Sequence, residues 1–510
     1  MIPKPTFRSV PPGFRFNLCT SLCLLAGALP AAPVANSYVV EDIGFPPEVA
    51  AEVGGIAFDS KGLLYVALRR GDVLTAMPAA DPAKFDWKLF ATGFDNGLGI
   101  AVPEPGRIFV VQMPELTEAT DTDGDGQADR YRTITDGWGL SGNYHETTAL
   151  ALDGEGGFFI GLGTASHRAP TFVHTRGEYS AIGRRGRNYS GIKYRGWIMH
   201  VKADGTIEPY ASGFRVPNGL LHDDEGNLWA SDNQGDWKAT TPLYHVRPGR
   251  FYGHPSSLVW DPKWPADRDP LATYRADLDS YNKDRTWAAV EIPHLELLRS
   301  GSEPIQIPRG GEFGPFGGQI LLPDATGTRI ARLMLEKVDG EYQGAATLFI
   351  NGQGLRISNN RVAFSPDGRS LYVGQTARGW GASKGSNTEG MQRITWRGGI
   401  PFTVEKMNVT ARGFRLTFTS AVGRGALQAA GYAVKSMTYQ SKWIYGGEPL
   451  DVRAETVTGI TAVDAHTVEI AIDSFRPRRV YHLRLAETLA SAGGEVMELR
   501  DFYYTANRLP

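Results

Sequence analysis

Gly55-Ile56-Ala57-Phe58-Asp59-Ser60-Lys61-Gly62-Leu63-Leu64-Tyr65-Val66 consists of two alternating apolar runs joined by a turn of Asp, Lys and Gly. Alternation buries one face of a strand, and such a turn needs positive φ or a side chain that caps its own backbone, so the phrase predicts a β-hairpin. It returns as Ala149-Leu150-Ala151-Leu152-Asp153-Gly154, as Asn218-Gly219-Leu220-Leu221-His222-Asp223, and as Val362-Ala363-Phe364-Ser365-Pro366-Asp367-Gly368, with looser copies over 97–110 and 317–331. One hairpin cannot bury its own apolar face. Recurring hairpins flanked by further strand text, such as Asp72-Val73-Leu74 and Trp197-Ile198-Met199-His200-Val201, predict four-stranded blades around a common axis. The expected fold is all-β: a six-bladed β-propeller over 38–400.

The copies are unevenly spaced, which places the excess chain in loops at 112–147, 164–196 and 234–305, where function is to be sought. After Trp396-Arg397-Gly398-Gly399-Ile400-Pro401 the phrase stops. Alternating runs such as Phe414-Arg415-Leu416-Thr417-Phe418 and Val480-Tyr481-His482-Leu483-Arg484-Leu485 predict a small β-sandwich module over 402–510, with a packing or substrate-presenting role.

Of 510 residues, 42% are apolar and 21% charged, enough for large cores and too few charges for a disordered chain. A net charge of -2 supplies no basic field for nucleic acid. Residues 1–35 read as an export signal: Lys4, Arg8 and Arg15 precede an apolar run from Leu18 to Leu29, with Ala26-Gly27-Ala28 as the cleavage pattern. That run is short for a membrane span, and no later stretch reaches 18 apolar residues, so no transmembrane segment is expected. Both cysteines, Cys19 and Cys23, fall inside the signal. A periplasmic or secreted protein without disulfides or thiolate metal sites follows.

Three clusters carry candidate chemistry. In Asp121-Thr122-Asp123-Gly124-Asp125-Gly126-Gln127-Ala128-Asp129 the carboxylates of Asp121, Asp123, Asp125 and Asp129 occupy positions 1, 3, 5 and 9 with Gly at 6, the pattern that wraps oxygen ligands around calcium. Arg132 stands where an EF-hand has its bidentate Glu, so the expected loop is of another kind, stiffening its surroundings. His145, just before a blade phrase, has the chemistry of a general base. Arg215 and Asn218, in Gly213-Phe214-Arg215-Val216-Pro217-Asn218-Gly219, precede a hairpin that ends in Ser231-Asp232-Asn233-Gln234-Gly235-Asp236-Trp237. A hairpin returns to its own starting edge, so Arg215, Asn218, Asp232, Asn233 and Asp236 are expected to converge on an anion and a cation. Arg309 and Arg378 adjoin blades and are candidates for further anion contacts.

Taken together, the signal, the Asp-rich loop, Arg215-Val216-Pro217-Asn218-Gly219, Ser231-Asp232-Asn233-Gln234-Gly235-Asp236-Trp237, Tyr252-Gly253-His254-Pro255 and Arg378-Gly379-Trp380-Gly381 resemble the soluble glucose/sorbosone dehydrogenase-like propellers. The similarity is greatest to an exported "membrane-bound dehydrogenase" type branch of planctomycete and verrucomicrobial bacteria. The resemblance implies a six-bladed propeller that binds pyrroloquinoline quinone (PQQ) with calcium, oxidises a sugar or related alcohol, and passes electrons to an external acceptor. It implies His145 as the base, Arg215 polarising the quinone carbonyl, Asn218 or Asn233 touching the cofactor, and Asp232 to Asp236 helping to hold its calcium. The family's Arg-Asn-Pro is Arg215-Val216-Pro217 here, so the neighbouring amide is displaced or lost, and the family's lysine has no assigned equivalent, Lys384 being one candidate. Two other readings fit the same residues: a calcium-dependent lactonase using Asn218 of the Pro-Asn-Gly-Leu phrase, and a non-catalytic glycan- or protein-binding propeller.

Overall fold

The computed structural model describes residues 37–140, 149–167, 175–376 and 388–510. Six antiparallel sheets surround one axis. Blades one to four occupy 53–91, 99–135, 149–212 and 219–292; blade five starts at 305. Blade six takes three strands from 359–396, and its outer strand comes from the other end of the chain: Tyr38–Ile43 pairs antiparallel with Gly390–Trp396, Tyr38 opposite Trp396. The Asp-bearing hairpin turns of blades one, three, four and six are capped as their sequence requires. Asp59 Oδ1, for example, accepts from Lys61 N and Leu63 N at 2.8 and 2.9 Å. The turns gather at the lower end of the ring. At the upper end, where Gly219 faces Ser231, lie the connections between blades and the loops between second and third strands.

Blade five departs from the others. Its outer strand Glu341–Asn351 pairs with Asp501–Ala506, followed by Arg479–Leu485, Tyr432–Thr438 and Leu450–Glu455, making one eight-stranded sheet. A second sheet of Val404–Thr410, Gly413–Phe418, Thr467–Ile472 and Val457–Ala462 covers the extension. The core between them mixes Met334, Val338 and Ala345 of blade five with Phe414, Leu416, Tyr481 and Phe502. The C-terminal module therefore grows out of the propeller through a shared sheet and a shared core.

Three sequence expectations are corrected here. The copy at 317–331 spans the second and third strands of its blade, Ile320–Pro323 and Arg329–Val338; the innermost strand is the two-residue Ile305–Gln306. Residues 112–147 are not one insertion, since Leu116–Thr120 and Arg130–Thr135 are ordinary blade strands and the Asp-rich loop is the turn between them. Likewise 234–305 contains blade strands Thr241–Val246 and Val290–Ile292, with two short helices, Pro270–Ala276 and Leu278–Asp284, in the added segment between them. Residues 164–196 do form an insertion, between the second and third strands of blade three, and include the paired strands Ala165–Ser166 and Asn188–Tyr189.

The axis is filled by a side chain. The buried Arg361 guanidinium donates from Nε to Gly54 O and Leu98 O at 3.1 and 3.0 Å, and from Nη2 to Leu98 O at 2.8 Å. Its Nη1 donates to Asn218 O and Asn360 O at 3.0 and 2.9 Å. These carbonyls belong to the inner edges of blades one, two, four and six, and a planar fork of five donors is suited to bind them at one level. Glu303 Oε2 accepts from Val362 N at 2.9 Å; burial raises the Glu303 carboxyl above its ordinary range while the Arg361 charge opposes that shift. Among the described residues no helix is long and apolar enough to cross a membrane.

Candidate functional site

Arg215 lies in the connection from blade three to blade four, and Asp232 to Lys238 form the loop between that blade's second and third strands. Both reach the upper end, as the hairpin geometry requires. Asp232 is wholly buried. Its Oδ1 accepts from Val216 N and Asn233 N at 2.7 and 2.8 Å; its Oδ2 accepts from Arg215 N at 2.9 Å and pairs with Lys238 Nζ at 3.1 Å. Lys238 also donates to Gly213 O, Tyr244 Oη and Tyr252 O. Burial pulls its ammonium down to about 8, against the opposing pull of Asp232.

Asp236 accepts from Arg215 Nε at 3.0 Å on Oδ1, and from Asn188 N and His254 Nε2 at 3.1 and 3.3 Å on Oδ2. Burial works against its charge, yet His254 and Arg215 hold its carboxyl well below the usual carboxylate range. His254 is fully buried, and its Nδ1 meets Ser256 Oγ at 2.8 Å. Arg215 Nη2 donates to Asn188 Oδ1 at 3.1 Å. Nη1 has no hydrogen bond among the described residues and is the guanidinium's free donor.

The loop backbone is shaped to this guanidinium. A Cβ on Gly235 would come within 2.1 Å of Arg215 Nε, so only glycine lets the side chain lie so close. Trp237 adopts φ 63°, a left-handed conformation unfavourable for a bulky residue. It is held there by Tyr281, by Trp443 and by donation from its N–H to Lys442 O at 2.7 Å.

The convergence of Arg215, Asn218, Asp232, Asn233 and Asp236 on one end of blade four matches the hairpin argument. Of the two carboxylates expected to help hold calcium, Asp232 is surrounded by three backbone N–H groups and an ammonium, and Asp236 by a guanidinium, an imidazole and an N–H. Lys238 and Arg215 are the basic side chains beside them. Asn218 is buried, donating from Nδ2 to Asn360 Oδ1 at 3.2 Å, while Asn218 Oδ1, Asn360 Nδ2 and Asn233 Oδ1 are buried without a hydrogen bond among the described residues.

Arg309 is also corrected. It belongs to the lower end, where Nε meets Asp224 Oδ2 at 2.5 Å and Nη2 meets Glu225 Oε1 at 2.6 Å, both in blade four's hairpin turn. His145, Arg378 and Lys384 lie outside the described residues, as does the signal segment 1–35 with Cys19 and Cys23. In the Asp-rich loop, ligand oxygens of Asp121, Asp123 and Asp129 lie within 4.8 Å of one another, the one such group of three metal-ligating side chains among the described residues. Asp125 is not part of it; its Oδ1 accepts from Gln127 N at 2.8 Å. Desolvation raises the Asp121 carboxyl, but donation from Gly126 N and Gly124 N brings it below its usual range.

Residues 80–374, more than half of the chain, match the family model described as a domain of unknown function (DUF7133). The chain belongs to the DUF7133 family. Arg215, Asp232, Asp236, Lys238 and His254 all lie within the DUF7133 match. No curated protein matches the chain. Among solved structures, this DUF7133 member is similar to a putative oxidoreductase (glucose dehydrogenase) from Thermus thermophilus, at 17% identity over 70% of this chain and 99% of that one, TM-score 0.47. It is similar to the PQQ-bound aldose sugar dehydrogenase of Streptomyces coelicolor, at 16% identity over 71% and 99%, TM-score 0.46. It is also similar to the holo PQQ domain of pyranose dehydrogenase from Coprinopsis cinerea, at 14% identity over 71% and 96%, TM-score 0.48.

Sequence reasoning missed five participants. Lys238 directly follows the quoted motif, Asn188 and Arg187 sit in the blade-three insertion, and Arg361 reads as ordinary strand text. The fifth, Tyr445, comes from the C-terminal module and lies with its ring centroid 4.3 Å from the Arg187 guanidinium and 5.4 Å from that of Arg215.

Proposed function

We propose that this protein is an exported oxidoreductase that removes hydride from a sugar or related alcohol and delivers it to PQQ. The observation that carries the reading is the upper-end Arg215, buried and oriented by Asp236 and Asn188, with no hydrogen bond to Nη1 among the described residues and the Tyr445 ring 5.4 Å from its guanidinium. Arg187, against the same ring, has no carboxylate partner among the described residues. Two guanidiniums, one of them without a carboxylate partner among the described residues, form a cationic pair that fits a planar polycarboxylate such as PQQ. Asp232 and Asp236 do not fit a calcium ion, and calcium is assigned to the Asp121 loop alone.

When bound, PQQ supplies the two-electron acceptor. The protein's part is electrostatic and positional. Held by hydrogen bonds to Asp236 and Asn188, the Arg215 guanidinium would offer Nη1 to an oxygen of the bound group with little reorganisation. His145, carried over from the family resemblance, takes the substrate hydroxyl proton. Turnover would then require an external electron acceptor.

A lactonase of this architecture requires an axial metal, and here the Arg361 guanidinium holds the axial carbonyls beside Asn218, which favours the redox reading. The test is reconstitution with PQQ and calcium. An absorption shift and dye reduction by aldoses are expected, with turnover abolished in His145→Ala and kcat lowered about 10²–10³-fold in Arg215→Lys. Absence of both signals at saturating PQQ overturns the proposal.

A further inference from the structure

The C-terminal module sends the segment 441–447 over the upper end of blade four. Trp237 N donates to Lys442 O at 2.7 Å, Gly446 N to Gly235 O at 2.9 Å, Gly447 N to Ala239 O at 3.1 Å, and Ala239 N to Ser441 Oγ at 3.4 Å. Asp236 and Tyr445 form an antiparallel bridge. This is a strand-like clamp along the loop that orients Arg215, and it is sterically tight: a Cβ on Gly446 would come within 2.9 Å of the Gln234 side chain. A segment needed only to cover apolar surface would bury its largest side chains. Instead Tyr445 stays 48% exposed while its ring meets the guanidiniums of Arg187 and Arg215.

A ring face attracts a guanidinium without neutralising it. Arg187 comes from the blade-three insertion, Arg215 from the blade connection and Tyr445 from the C-terminal module, three parts of the chain far apart in sequence. The Asp236 charge is shared with His254, and Arg187 has no acid opposite it among the described residues. The wall is left cationic, buried at Arg215 and partly open to solvent at Arg187 and Tyr445, with donors suited to carboxylate oxygens.

We propose that the C-terminal module completes the upper-end site, with Tyr445 as a positioning residue that holds Arg187 and Arg215 as a two-guanidinium receptor for a carboxylate-bearing ligand. The identity of that ligand as PQQ rests on the oxidoreductase reading; the receptor does not.

Calorimetric titration of the full chain with PQQ, and separately with D-glucuronate, tests both levels. Tyr445→Ala and Arg187→Gln are each expected to weaken binding about tenfold, equivalent to about 1.4 kcal/mol. Tyr445→Phe, which keeps the ring, is expected to bind like the parent, and all three are expected to melt at the parent's temperature. If PQQ fails to bind while glucuronate binds and is lost in Tyr445→Ala, the receptor stands and the redox reading falls. Should PQQ bind the parent and every variant equally, the receptor is overturned and the redox reading survives. Failure of both probes to bind the parent overturns both.

Discussion

Asp232 and Asp236 at the upper end, and Asp121, Asp123 and Asp129 at the lower end, carry the same functional group in opposite surroundings. The upper pair is buried, and each charge is answered from within by Lys238, Arg215, His254 and backbone N–H groups. The lower trio is half-buried to exposed, with its ligand oxygens within 4.8 Å and no basic side chain paired to it among the described residues. Carboxylate spacing alone predicts a cation at both places; burial decides whether the protein supplies that cation itself or leaves the position to an ion from solution.

The sharpest way to break this contrast is Lys238→Met, which strands Asp232 without its ammonium. A loss of about 3–5 kcal/mol is expected in urea unfolding, and a loss below about 1 kcal/mol would mean that the backbone N–H groups suffice. Arg361→Met removes the donors shared by four axial carbonyls, with an expected cost of about 4 kcal/mol at about 1 kcal/mol per orphaned group. At the lower end, calcium at a hundredfold excess over its dissociation constant is expected to stabilise the chain by about 2.7 kcal/mol. Asp121→Ala is expected to remove that gain while leaving ligand binding at the upper end intact.

Acid titration separates the ends further. Because the folded Asp236 carboxyl lies below its ordinary 3.8, its stabilising contribution is present above that pH and is lost as pH falls through and below it, at no more than about 1.4 kcal/mol per pH unit for one proton. Asp236→Asn is expected to flatten the stability profile below pH 4. The smallest effect is expected from Arg309→Ala, whose partly exposed pairs with Asp224 and Glu225 contribute about 0–1 kcal/mol and whose loss leaves turnover unchanged.

The propeller was legible because each turn is a local event: Asp59, Asp153 and Asp223 cap the backbone within four residues of themselves. Blade five was misphased because its innermost strand is two residues long and carries no alternation. The neighbourhood of Arg215 followed from hairpin geometry, which returns a strand to its starting edge. Its partners were less accessible: Lys238, Asn188 and Tyr445 reach it from separate segments, and nothing in their local text distinguishes them from surface residues. Arg309 was misplaced for a related reason, since the sequence places it beside a blade without saying at which end.

The shared sheet of blade five has a consequence for synthesis. Until residues 501–506 have left the ribosome, the hydrogen-bonding edge of Glu341–Asn351 has no partner in this chain, and the Phe414 side of the shared core stays uncovered. An exposed strand edge is a template for mispairing between molecules. A nascent chain, or one cut before residue 501, thus offers that edge to neighbouring chains, making the strand Asp501–Ala506 a safeguard against aggregation for the whole ring.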